Sequence, residues 1–134
     1  MVEAKAVRTD IEQFLVTATS GHAIAVDADR QRNSAPSPME LVLMGLCACT
    51  ATDIDIVLRK KREPFTSLEV RAEAERAKDP PQVYTEIKLI YTVSGKVTKK
   101  AVEDAVRLSE EKYCSVSAML QKTAKISTEI RYVE

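Results

Sequence analysis

Ser37-Pro-Met-Glu-Leu-Val-Leu-Met-Gly-Leu-Cys-Ala-Cys-Thr-Ala51 decides the fold. Its opening is a helix start. Ser37 is placed to cap, Pro38 suits the first helical position, and Glu40, three residues after Ser37, completes a capping box. From Leu41 to Ala51 the run is apolar almost all round. A small domain has difficulty covering such a helix on every side, so a second subunit is expected against it, with the helix central to a dimer. The helix is expected to reach Arg59–Lys61. Its basic end, Arg59-Lys-Lys-Arg62, complements the negative helix terminus, and Pro64 stops it.

Upstream, Glu3–Arg8, Phe14–Ala18 and His22–Asp27 read as short strands, with turns at Thr9-Asp10 and Ser20-Gly21. They form a hairpin or three-strand meander. Residues 29–37 are polar and aperiodic, a loop whose two arginines have no preferred direction. Downstream the period changes to two. Leu68, Val70, Ala72 and Ala74 share one face, and Ile87, Leu89, Tyr91 and Val93 share another. With the turn Lys78-Asp-Pro-Pro81 between them, these runs predict a long antiparallel hairpin with one wet face. Thr98 is placed to cap a helix over Lys99–Tyr113, with Ala101, Val102, Ala105, Val106, Leu108 and Ser109 as its inner stripe. A short helix over Ser115–Lys122 and a strand over Ala124–Val133 follow. The class is α+β, a single domain over 1–134.

Composition narrows the function. Twenty basic residues balance twenty acidic ones, which argues against nucleic acid and against an anionic membrane surface. Aromatics are 4% of the chain, so the core is aliphatic. No signal-peptide pattern opens the sequence, and the run 41–51 is short for a bilayer. A cytoplasmic location is expected. Three cysteines in uneven spacing do not look like a secreted disulfide framework. Three glycines give no phosphate-binding loop, and there is no nucleophilic serine elbow.

The thiols carry the chemistry. Cys47 and Cys49 are two apart on a helix and point roughly 200° away from each other. They cannot share an ion or a disulfide, so no metal site is expected from this pair and the lone His22. Only one of them faces a given cleft. Cys114 precedes Ser115-Val-Ser-Ala-Met-Leu, where unpaired helical N–H groups gather and favour a thiolate. Asp53 lies one turn after Cys49 on the same face. A carboxylate there opposes thiolate formation unless a cation intervenes, and it reads as a solvated or dimer-facing acid. His22 and the four tyrosines read as surface or packing residues. The thiols themselves remain open to three readings: a dithiol device, a binding site, or inert core.

Ser34-Ala-Pro-Ser-Pro-Met-Glu-Leu-Val-Leu-Met-Gly-Leu-Cys-Ala-Cys49 resembles the central-helix motif of the OsmC/Ohr family (osmotically inducible protein C and organic hydroperoxide resistance protein). Glu111-Lys-Tyr-Cys-Ser-Val-Ser117 resembles that family's second-cysteine motif. The resemblance implies an intertwined homodimer, with antiparallel sheets wrapped around long central helices and a site at the subunit interface. It implies that Cys49 is the peroxidatic cysteine and Cys114 the resolving one. It further implies that organic hydroperoxides are reduced to alcohols through a Cys49 sulfenic acid and a Cys49–Cys114 disulfide, which a dithiol such as a lipoylated protein reduces. No cofactor is implied. The chain departs from the family where a glutamate orients an active-site arginine: the matching residue is Met39, with Glu40 next to it. The family arginine lies near the first strands, so Arg8, Arg30 and Arg32 are the candidates for stabilising the thiolate. The chain thus reads as a divergent branch. The alternative on the same scaffold is a redox-responsive or small-molecule-binding dimer with little or no turnover.

Overall fold

The computed structural model describes residues 1–134. Along the chain lie β1 (Ala4–Asp10), β2 (Gln13–Ala18), β3 (Ala23–Asp27), α1 (Pro38–Lys60), β4 (Phe65–Arg76), β5 (Tyr84–Gly95), α2 (Lys99–Leu108), a π-helical turn (Ser109–Tyr113), α3 (Ser115–Leu120) and β6 (Lys125–Val133). The α+β class is as expected. The chain divides into two compact units, Met1–Met44 and Gly45–Glu134, and the division falls within α1.

The first unit is built on the meander β1-β2-β3, antiparallel throughout, with Val7 opposite Leu15 and Leu15 opposite Ala25. β1 runs through Thr9-Asp10, which the sequence placed in a turn. The reversal instead uses Ile11-Glu12, where Glu12 takes a left-handed conformation (φ 57°) and the Asp10 carboxylate accepts from the Ile11 N–H. The loop after β3 is ordered around one acid. The Asp27 side chain is wholly buried and accepts from Arg32 Nε at 2.8 Å, from the Ser34 hydroxyl at 2.6 Å, and from the Ser34 and Asp29 amides. Arg32 and Ser34 together hold its carboxyl well below the usual carboxylate range. At the start of α1 the capping box forms as read. Ser37 N–H donates to Glu40 Oε1 at 2.9 Å, and Glu40 N–H donates to Ser37 Oγ at 3.1 Å.

In the second unit the strand order is β4-β5-β6. β4 and β5 form the long antiparallel hairpin, but β6 joins β5 in parallel. The sheet is therefore mixed, not wholly antiparallel as the resemblance implied. Alternation identifies a strand without giving its direction. Central position explains why Ile87, Leu89, Tyr91 and Val93 are almost completely inaccessible. Against this core α2 buries Ala101, Val102, Ala105 and Val106, and α1 buries Leu46, Thr50, Ile54, Val57 and Leu58, a stripe at three- and four-residue spacing. A parallel join cannot be made by a tight turn, so the connection from β5 to β6 runs through α2, the π turn and α3. That crossover carries Cys114.

α1 has 23 residues, and taken whole it is long and apolar enough to cross a membrane. This corrects the length argument made from residues 41–51 alone. Asp53 and Asp55 interrupt the segment, each costing about 2.5–3.5 kcal/mol at a bilayer centre, and the buried stripe gives the helix a core role in the second unit. On the solvent side Val42, Met44 and Ile56 remain exposed.

Candidate functional site

The site lies wholly in the second unit. Cys49 and Asp53 stand one turn apart on α1. Opposite them is Cys114, the N-cap residue of α3, with extended backbone (φ −78°, ψ 104°). Its sulfur accepts from the Ser117 N–H at 3.3 Å, and it is 3% exposed. The two sulfurs and a carboxylate oxygen of Asp53 all lie within 4.8 Å of one another. Cys49 and Asp53 are half-buried.

The π turn makes this possible. The Cys114 N–H donates to the Ser109 carbonyl at 2.9 Å, an i→i+5 closure. In an α-helix residues five apart diverge by roughly 140°. The wider turn brings Ser109 and Cys114 back onto one face, toward α1. Ser109, completely buried, donates its hydroxyl proton to Asp53 Oδ2 at 2.8 Å. Two sequence expectations change here. The helix read through Tyr113 ends at Leu108 and continues as the π turn. Asp53 is no free solvated acid but is hydrogen-bonded and set against two thiols.

Electrostatics oppose ionisation at the second thiol. Burial pushes Cys114 up to about 11; the Ser117 N–H works the other way, and the neighbouring Cys49 and Asp53 push it further up. Beyond Cys114 is Tyr91, whose phenol burial holds well above its ordinary value. Its buried hydroxyl faces Thr50, whose own hydroxyl donates to the Leu46 and Cys47 carbonyls, and no bond of normal geometry forms between the two. Cys47 is elsewhere, as the helical spacing requires: its sulfur meets the backbone of Ala72 on β4, and burial pushes its thiol up.

The candidate arginines all belong to the first unit. Arg8 is exposed on β1. Arg32 is held by Asp27 and by the Ile11 carbonyl. Arg30 donates to the Asp27 carbonyl and to Asn33, and pairs with Glu40 at 3.2 Å. Beside Asp53 in the second unit opens a cleft of about 530 Å³, lined by Ile56, Val57, Lys60, Lys61, Leu108 and Tyr113. Sequence reasoning singled out both thiols that meet here, and it noted Asp53 on the Cys49 face but read it as a solvated or dimer-facing acid. It missed Ser109, whose one signal was a polar residue in an otherwise apolar inner stripe.

A long helix presenting one thiol, answered by a second at the N-cap of a later helix, in an α+β fold of two three-stranded sheets, defines a class of small cysteine-bearing proteins. The sequence model described as OsmC-like protein matches residues 31–129. The chain belongs to the OsmC-like family. Protein YhfA of Escherichia coli strain K12 is 43% identical over 72 residues, which are 53% of this chain and 54% of that protein, so the match spans about half the length of that curated relative. A hypothetical protein from Aquifex aeolicus VF5 has a solved structure that is 33% identical, with a TM-score of 0.86 over 100% of this chain and 98% of that one. The structure of an organic hydroperoxide resistance protein OsmC from Legionella pneumophila has a TM-score of 0.74 at 17% identity, covering 98% and 96% of the two chains. At that identity the likeness is one of fold.

Proposed function

We propose that this chain is a dithiol redox protein that reduces organic hydroperoxides, with Cys49 as the attacking sulfur and Cys114 as the resolving one. The observation that carries the reading is the approach of the two sulfurs within 4.8 Å, from separate elements. Cys49 as thiolate attacks the terminal peroxide oxygen. The O–O bond breaks, the alkoxide leaves and takes a proton as alcohol, and Cys49 becomes a sulfenic acid. Cys114 as thiolate then attacks that sulfur, hydroxide leaves as water, and a disulfide forms. A dithiol reductant, of the lipoylated-protein kind, accepts the oxidation and restores both thiols. The apolar lining from Ile56, Val57 and Leu108 supports an organic substrate, as does the name of the Legionella relative. Arg30, which pairs with Glu40 at 3.2 Å, is kept as the first of the candidates that the resemblance offers for steadying a thiolate. Arg8 and Arg32 are the secondary candidates.

The family match runs across the division within α1, which supports reading 1–134 as one OsmC-like domain. The exposed Val42, Met44 and Ile56 support a homodimer with a second copy against α1. Balanced charge favours neither nucleic acid nor a membrane as partner, and three free thiols suit the reducing cytoplasm. No cofactor is called for.

A second reading has its own support. Burial, with Cys49 and Asp53 beside it, holds the Cys114 thiol up and so slows the resolving step, which suits a redox-responsive or small-molecule-binding dimer with little turnover. Thiol counting before and after one equivalent of cumene hydroperoxide separates the two. The peroxidase reading expects wild type to lose two thiols and turn over with a dithiol, Cys114→Ser to accumulate a sulfenic acid at Cys49, and Cys49→Ser to be inert. Rapid peroxide consumption by Cys49→Ser overturns the assignment. Slow, stoichiometric oxidation with no turnover selects the second reading.

A further inference from the structure

We infer that Cys49, Asp53 and Cys114 form a binding site for a soft divalent cation of the zinc class, and that the bound ion and a Cys49–Cys114 disulfide exclude one another. The second clause rests on the pairing proposed above; the first does not.

Spacing is the first argument. Cys49 and Asp53 are four apart on one helix, the separation at which two helical side chains reach a single ion, as in the zinc-binding H-x-x-x-H pattern. The third donor comes from the crossover, so the chelate is closed by tertiary structure and not by chain proximity. Distance is the second. With Zn–S about 2.3 Å and Zn–O about 2.1 Å, tetrahedral donors stand roughly 3.5–3.8 Å apart. The three atoms here are within 4.8 Å of one another, and side-chain rotation on the order of 1 Å closes the difference. Support around the ligands is the third. Ser109 fixes the Asp53 carboxylate through a hydrogen bond to Oδ2. The Ser117 N–H fixes the Cys114 sulfur. Such outer hydrogen bonds orient ligands and hold affinity. Charge is the fourth. A bound cation offsets the charge of the two thiolates and the carboxylate that it gathers. Thiolate donors choose zinc-like ions over magnesium or calcium.

Binding replaces two S–H bonds with two metal–sulfur bonds and releases two protons to solvent. The carboxylate coordinates as it stands, and no electrons move. Three protein donors leave one position open. Oxidation of both thiols by a hydroperoxide removes two electrons and both thiolates, and so frees the ion.

The test is anaerobic titration of the reduced full-length chain with Co²⁺. One ion per chain is expected, with a thiolate-to-cobalt charge-transfer band in the near ultraviolet that Zn²⁺ abolishes. The band is lost in Cys49→Ser and in Cys114→Ser. In Asp53→Asn affinity falls by about tenfold or more, and in Cys47→Ser it is unchanged. Because a serine variant can misfold, wild type is also alkylated with and without Zn²⁺. The ion then slows modification of Cys49 and Cys114 and leaves Cys47 unaffected. Absence of the band in wild type, its persistence in both serine variants, or equal protection of all three cysteines overturns the site. A chain that binds Co²⁺ yet consumes no cumene hydroperoxide keeps the metal site and removes the peroxidase reading; the reverse result does the opposite.

Discussion

Asp27 and Asp53 are both held by a serine hydroxyl, yet they are opposite kinds of acid. Asp27 has an arginine as well, and its charge is satisfied inside the first unit. Asp53 has Ser109 alone and faces two sulfurs. The difference gives Asp27 a pH signature. Its folded carboxyl is depressed, so its stabilising contribution is fully present above the unfolded value of about 3.9 and is lost as pH falls from there toward the lower folded value. Asp27→Asn is therefore expected to unfold at lower urea than wild type at pH 7 and to lose less stability below pH ~4. Equal slopes of stability against pH in the two proteins would contradict this. Neither environment was legible in the sequence. Asp27 sits in an aperiodic loop, and the partner of Asp53 is 56 positions away. Cys49 and Cys114 were legible because each sits in a local motif. Ser109 was not, since a serine inside an amphipathic stripe reads as a small packing residue.

Elements divide along the same line between local and distant causes. The capping box at Ser37 needs only four consecutive residues, and it forms as read. Thr98 occupies the N-cap of α2, but its side chain makes no cap bond; Glu63, 35 residues away, accepts from its N–H at 2.6 Å instead. Ser37→Ala is accordingly expected to cost about 1 kcal/mol, read as a lowered urea midpoint, while Thr98→Ala leaves the midpoint almost unchanged. A larger loss at Thr98 than at Ser37 would reverse the assignment of the caps. The π turn and the direction of β6 escaped the sequence for a related reason. Helical periodicity over Lys99–Tyr113 does not reveal one widened turn, and a period of two does not distinguish a parallel neighbour from an antiparallel one. Both are settled by what the crossover must reach.

For the whole molecule, the apolar residues that α1 leaves in solvent set the next question. Val42 and Met44 are 38% and 49% exposed. With a second copy as the proposed cover, sedimentation is expected to show a dimer for wild type and a monomer for the double variant Val42→Lys, Met44→Lys with helix content retained. A monomeric wild type would remove the dimer. The crossover has a consequence in time as well as in space. Cys114 follows Cys49 by 65 residues (114 − 49), so at about 5–20 residues per second the earlier sulfur is made about 3–13 s before its companion. In that interval a nascent chain struck by an oxidant lacks Cys114, the partner proposed to quench a Cys49 sulfenic acid, and has only Cys47 at hand. Under the proposed pairing, further oxidation to the irreversible sulfinic acid is then a hazard of translation itself, borne more by unfinished chains than by completed ones.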